Sequence, residues 1–181
     1  MELTEKTVRR EELLNGRVLK MHIDEVELPD GSRASRECVD HPGGVCVAAL
    51  TDRDELLFVR QFRYPYAEVV TELPAGKLDF PDEDPLEAAC RELREETGAI
   101  AGRMIPLGQL FPSPAILDEV IHLYLATDLQ FAENDPDEDE YVDVVTIPLE
   151  TLTRQILDGE IPDAKTQTAV LKLLALRRQN L

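Results

Sequence analysis

The chain has 181 residues, with 37 acidic and 19 basic side chains and a formal charge of −18. That length suits one domain with room for a small second subdomain, and a core of real size can be buried. So negative a chain argues against unaided binding to nucleic acid or an anionic membrane, and any polyphosphate ligand must arrive with a cation.

The amino terminus, Met1-Glu2-Leu3-Thr4-Glu5-Lys6, is charged rather than signal-like. Residues 17–28 alternate. Val18, Lys20, His22, Asp24 and Val26 share one parity, and Leu19, Met21, Ile23, Glu25 and Glu27 the other, as in a half-buried strand. Pro29-Asp30-Gly31-Ser32 signals a turn, and residues 33–40 read as the returning strand of a hairpin. A hairpin alone is marginal in water. The segment 1–41, an amino-terminal β-subdomain, must therefore pack on the main domain, 42–181, or on a second copy of the chain.

His41-Pro42-Gly43-Gly44 reads as a linker between the two. Val45–Leu50 and Glu55–Phe62 are apolar runs separated by Thr51-Asp52-Arg53-Asp54, which predicts a second hairpin. Residues 84–98 form the clearest helix. Asp84 can cap it, Pro85 suits its first position, Glu87 completes a capping-box pattern and Gly98 ends it. A polar loop, Phe111–Asp118, leads into a strand at Val120–Ala126, and an acidic loop, Glu133–Glu140, precedes a strand at Tyr141–Ile147. Two short helices are expected at about 149–158 and 165–178. Strands mixed with few helices predict an α+β or layered α/β domain rather than an alternating parallel sheet.

Cys38, Cys46 and Cys90 form no C-x-x-C pair and leave an odd count, which suits a reducing, cytoplasmic setting and small buried side chains. No run approaches the roughly 18–20 apolar residues of a membrane helix. His22, His41 and His122 have no partners at metal spacing and read as structural.

The helix carries the chemistry. With Leu86 at zero and about 100° per residue, Leu86, Ala89, Cys90 and Leu93 fall in one core-facing sector. Glu92, Glu95 and Glu96 fall at roughly 240°, 180° and 280°, which gathers three carboxylates on one flank. Like charges at these spacings cost only a few tenths of a kcal/mol each, so a merely solvated face explains them as well as a site for Mg²⁺ or Mn²⁺ does.

The surrounding residues decide between these. Gly76-Lys77-Leu78-Asp79, then Glu83, then Arg91-Glu92-Leu93-Arg94-Glu95-Glu96-Thr97-Gly98 resembles the Nudix box, G-x5-E-x7-R-E-U-x-E-E-x-G-U with U apolar. Glu83 to Gly98 fits without gaps. Six residues rather than five separate Gly76 from Glu83, which leaves either Glu83 or Asp82 for the acidic position of the loop, Glu83 being favoured by its spacing to Arg91. Ala99 occupies the last apolar position. Val59-Arg60-Gln61-Phe62-Arg63-Tyr64 with Glu72-Leu73-Pro74-Ala75-Gly76 resembles the ADP-ribose pyrophosphatase branch of this superfamily. Ser113-Pro114 (followed by Ala115 where glycine is usual), Asp118-Glu119 and the acidic run Asp137–Glu140 extend the similarity, which covers about residues 12–175.

The resemblance implies a layered α/β/α fold, with a mixed sheet between helices and a small antiparallel β-subdomain, and a homodimer in which that subdomain is exchanged. It implies hydrolysis of ADP-ribose to AMP and ribose 5-phosphate with two or three Mg²⁺ or Mn²⁺ ions. Glu92 and Glu96 are then the main metal ligands, assisted by Glu95 and the Ala75 carbonyl, and Arg91 orients the cluster. The general base comes from the acidic loop, with Glu138 first and Glu140 second. Arg63 is the candidate phosphate contact, and Glu72 and Glu119 either bind ribose hydroxyls or support the site. Hydrolysis of another nucleotide sugar, such as ADP-glucose or GDP-mannose, and a non-catalytic ADP-ribose-binding regulator are the alternatives.

Overall fold

The computed structural model describes residues 2–80, 82–132 and 141–178. Two compact units emerge, one made of residues 1–43 with 111–120 and the other of 44–110 with 121–181.

In the first unit, β1 (Lys6–Asn15), β2 (Lys20–Glu27) and β3 (Arg33–Asp40) form an antiparallel sheet in that order. The β2–β3 hairpin runs in register from Lys20 opposite Asp40 to Glu27 opposite Arg33. Its turn is closed by Gly31 at φ 84° and by Asp30 accepting from the Ser32 amide. The sequence predicted this hairpin but not its neighbour β1. Every residue of β1 is exposed, so it offers no buried alternation to read. On β2 the buried residues are His22, Asp24 and Val26, while Met21, and Leu19 just before the strand, lie exposed. Residues 116–118 also pair with this sheet. The Val39 amide donates to the Ile116 carbonyl at 2.8 Å, and the Asp118 amide donates to the Val39 carbonyl at 3.2 Å.

The second unit contains two sheets and three helices. Its strands are β4 (Gly44–Ala49), β5 (Glu55–Arg63), β6 (Glu68–Glu72), β7 (Ala75–Lys77), β8 (Ala99–Leu110), β9 (Ile121–Phe131) and β10 (Asp143–Pro148). Its helices are α1 (Pro85–Thr97), α2 (Leu149–Leu157) and α3 (Ala164–Arg178). A four-stranded mixed sheet has the order β7-β4-β9-β8, with β4 and β9 parallel, and a three-stranded antiparallel sheet has the order β10-β5-β6.

The hairpin predicted at 45–62 does not form. β4 and β5 lie in different sheets and touch through one bridge, Leu50 with Leu56. β4 is buried on both faces, so it takes the centre of the mixed sheet rather than a hairpin edge. Its alternation shows the layers. Cys46 and Ala48 join Leu123 and Leu125 of β9 and Leu152, Ala169, Val170 and Leu173 of α2 and α3 in one core. Val45, Val47 and Ala49 join Tyr124 and Ala126 with Ala88, Ala89 and Leu93 of α1 in the other. The mixed sheet is thus sandwiched between α1 and the α2–α3 pair, the layered α+β architecture expected.

Candidate functional site

The site is built on α1, which begins and ends as its sequence dictates. Asp84 caps it by accepting from the Leu86 amide at 2.7 Å, Pro85 fills the first turn, and Gly98 closes it at φ 70°. The buried arc, however, is rotated from the predicted one. Leu86 and Cys90 are exposed, whereas Ala88, Ala89, Glu92, Leu93, Glu96 and Thr97 are buried. On the same wheel that arc runs from roughly 200° to 20°, so Glu96 sits near its centre rather than on its flank. Two carboxylates, Glu92 at 8% exposure and Glu96 at 2%, therefore face inward.

Strand β7 makes room for them. It pairs with β4, placing Val45 opposite Gly76 and Cys46 opposite Ala75. A Cβ on Gly76 would overlap the Glu92 carboxylate. The neighbouring Ala75 amide donates to Glu96 Oε2 at 2.9 Å. Backbone and helix thus approach so closely that any side chain at position 76 would displace the Glu92 carboxylate, and both inward carboxylates lie against residues 75–76.

Arg91 is the hub. Its Nη1 donates to Glu92 Oε1 at 2.8 Å and Glu95 Oε2 at 3.1 Å, its Nε to Glu83 Oε1 at 3.2 Å, and its Nη2 to the Lys77 carbonyl at 3.3 Å. Asp79 lies 3.5 Å from Nη2. Glu83 in turn accepts from the Asp79 amide at 2.7 Å, so Glu83 closes the box loop onto Arg91. Burial alone would raise the Glu83 carboxyl, but the Asp79 amide and Arg91 outweigh it and hold it below the usual range. Burial would likewise lower Arg91, yet the Glu83 hydrogen bond and the Glu92 charge raise it. One guanidinium faces Asp79, Glu83, Glu92 and Glu95, so the cluster remains strongly negative.

A second network flanks it. Glu72 is almost fully buried and accepts from Arg63 Nε at 2.7 Å and from Lys165 Nζ, while Lys165 also donates to Asp163 at 2.9 Å. Burial disfavours the Lys165 charge, but Asp163 and Glu72 reverse that and raise its value. The next residue, Thr166, accepts from the Leu73 amide at 2.9 Å. The first turn of α3 thereby clamps the stretch that leads into Ala75 and Gly76. Sequence reasoning missed Lys165 and Thr166 because each acts across 93 positions, on Glu72 and Leu73, and it missed Asp163, whose bonds to Lys165 and the Thr166 amide are local and look like no more than a helix start.

Of the remaining candidates, Glu119 belongs to the first unit, where its carboxylate lies 3.5 Å from His41 Nδ1. Glu138 and Glu140 lie outside the described residues.

The donor set suits a divalent cation. Carboxylates are the hard oxygen ligands that Mg²⁺ and Mn²⁺ take, and Gly76 lets the Glu92 carboxylate occupy a position that any larger residue would take from it. A dense carboxylate cluster with one guanidinium would repel a polyphosphate until a cation neutralised it.

The NUDIX domain family model matches residues 40–169. The chain is 40% identical over 170 residues to an ADP-ribose pyrophosphatase of Bacillus subtilis, covering 93% of this chain and 91% of that protein. It is 44% identical over 168 residues to a methanol dehydrogenase activator of Bacillus methanolicus, covering 92% and 90%. A solved structure of an ADP compounds hydrolase superposes with a TM-score of 0.86 at 23% identity, covering 99% of this chain and 98% of that one, which establishes the shared fold.

Proposed function

The chain belongs to the Nudix family, and we propose that it hydrolyses the pyrophosphate of ADP-ribose to AMP and ribose 5-phosphate with a divalent metal. The observation that carries this reading is the pair of inward carboxylates, Glu92 and Glu96, packed against Gly76 and Ala75. The activity of the Bacillus subtilis relative supports the choice of ADP-ribose.

Glu92 and Glu96, with Glu95 and the Ala75 carbonyl, would hold Mg²⁺ or Mn²⁺. When bound, such ions neutralise the pyrophosphate and make water a better nucleophile at neutral pH. The chain's own groups do the rest. Arg91 fixes the rotamers of Glu92 and Glu95 and ties them to Glu83. Arg63 is held at Nε by Glu72 while its side chain keeps 39% exposure, an arrangement that suits a guanidinium presented to a phosphate oxygen. Because Glu72 accepts from both Arg63 and Lys165, its role is support rather than ribose contact. Glu138, with Glu140 second, is the base that takes the proton of the attacking water. We extend the proposal to a cytoplasmic homodimer with an exchanged amino-terminal sheet. The exposed Val8, Leu13 and Leu14 of β1 favour the dimer, and light scattering after gel filtration tests it.

The substrate is tested by supplying ADP-ribose, ADP-glucose, GDP-mannose and NADH separately with Mg²⁺ or Mn²⁺ and identifying the products. AMP from ADP-ribose is expected to dominate. Efficient turnover of GDP-mannose but not ADP-ribose would replace the substrate, and tight ADP-ribose binding without turnover of any of them would replace the enzyme with a regulator.

A further inference from the structure

The first unit carries a polar cluster that the hydrolytic site does not use. His22 and Asp24 lie two residues apart on β2, and Cys38 on β3 stands directly opposite His22. Side chains so placed share one face of the sheet. One ligand atom from each, the imidazole nitrogen, the carboxylate oxygen and the thiol sulfur, lies within 4.8 Å of the others. The sequence concealed this grouping because the strand pairing, not the linear spacing, brings Cys38 to the other two.

His22 is only 3% exposed, and its Nδ1 has no hydrogen-bond partner, a feature found at no other buried side chain among the described residues. That nitrogen lies 3.4 Å from Asp24 Oδ1, without hydrogen-bond geometry. Its other nitrogen, Nε2, is 3.2 Å from Asp40 Oδ1. When Nε2 carries the proton and donates it to Asp40, Nδ1 presents a lone pair towards a carboxylate. Arg10 already answers the Asp24 carboxylate, so the unsatisfied group is the buried imidazole nitrogen, whose lone pair a cation bound beside Asp24 would engage.

The surroundings resemble the outer shell of a metal site. Asp40 would fix the tautomer of His22, as carboxylates do for metal-bound imidazoles. Arg10 donates to both oxygens of Asp24, at 2.9 Å each, and so fixes its orientation. Half-buried Cys38 leaves a route of entry that His22 and Asp24 do not.

From this juxtaposition we infer that His22, Asp24 and Cys38 form a second metal site, in the amino-terminal sheet, for a borderline or soft divalent cation such as Zn²⁺. One nitrogen, one sulfur and one carboxylate oxygen select such an ion over Mg²⁺, and three protein ligands leave a position for water. The site is separate in chemistry from the all-oxygen cluster on α1, which takes hard cations.

Co²⁺ is the probe, because ligation by a thiolate gives a near-ultraviolet charge-transfer band that an all-oxygen site cannot produce. The full-length protein, held in excess Mg²⁺ to occupy the carboxylate cluster, is titrated with Co²⁺ and then with Zn²⁺. The expected result is a band that saturates at one Co²⁺ per chain and is displaced by Zn²⁺. Cys38→Ser should abolish the band, Cys90→Ser should leave it, and Asp40→Ala should weaken binding by about 10–100-fold, the usual effect of removing an outer-shell partner. Retained hydrolysis of ADP-ribose by each variant shows that it is folded. The wild-type titration alone can overturn the inference, since no band there means no thiolate-ligated site. A band that survives Cys38→Ser would also overturn it.

Discussion

Gly76→Ala is the sharpest perturbation that the geometry offers. The added methyl would overlap the carbon and both oxygens of the Glu92 carboxylate. Strand β7 cannot retreat easily, because Gly76 is paired opposite Val45, which is buried in the core beside α1. The Glu92 side chain is the softer element, so it should swing aside at a rotamer cost of about 0.5–1.5 kcal/mol. Displacing a ligand carboxylate by 1 Å or more should cost about 10²-fold in turnover. The variant should therefore melt within a few degrees of the wild type, as expected for about 1 kcal/mol in a chain of this size, while kcat for ADP-ribose collapses. In a Glu92→Ala background the alanine at 76 should add almost nothing to either loss. Gly76→Ala with near-normal kcat would refute the reasoning, as would a large loss of stability that persists without the Glu92 carboxylate.

Other outcomes follow from the same contacts. Glu83→Gln should lower kcat by about tenfold or more by loosening Arg91, and Asp82→Asn should change it less than about twofold, since positioning errors cost rate steeply; parallel steady-state assays decide. Lys165→Met should destabilise by about 1–3 kcal/mol in denaturant melts, because Glu72 loses one of two cationic partners while buried. Glu138→Gln should reduce kcat by about 10²-fold with little change in stability, and an unchanged rate would move the base to Glu140. The depressed Glu83 carboxyl favours folding fully above its ordinary value of 4.5, and that contribution fades as pH falls below it. Thermal melts of wild type and Glu83→Gln should accordingly differ at pH 7 and converge in acid.

How legible these features were depended on how local their causes are. The start and end of α1 could be read because Asp84, Pro85 and Gly98 act on their own turns. The box motif singled out Glu92 and Glu96 as candidates, but the wheel placed the buried arc on Leu86 and Cys90. Packing against Gly76 and Ala75 turned it towards the glutamates instead, an override that no helical period contains. Strand β4 read as half of a hairpin because its sequence neighbour is also apolar. Its partners, β7 and the parallel β9, are chosen by burial on both faces. The Glu72–Lys165 contact spans 93 positions and exists only once α3 docks. The strand β1 left no pattern because every one of its residues is exposed in the single chain.

The central claim is that the carboxylates of α1 make this chain a metal-dependent pyrophosphatase. Its most direct test is AMP release from ADP-ribose by wild type and Glu96→Gln across a Mg²⁺ titration, with a chelator control. Release should rise with Mg²⁺, vanish with chelator and be largely lost in Glu96→Gln at every metal concentration. Release that ignores the chelator, or that Glu96→Gln leaves intact, would contradict it.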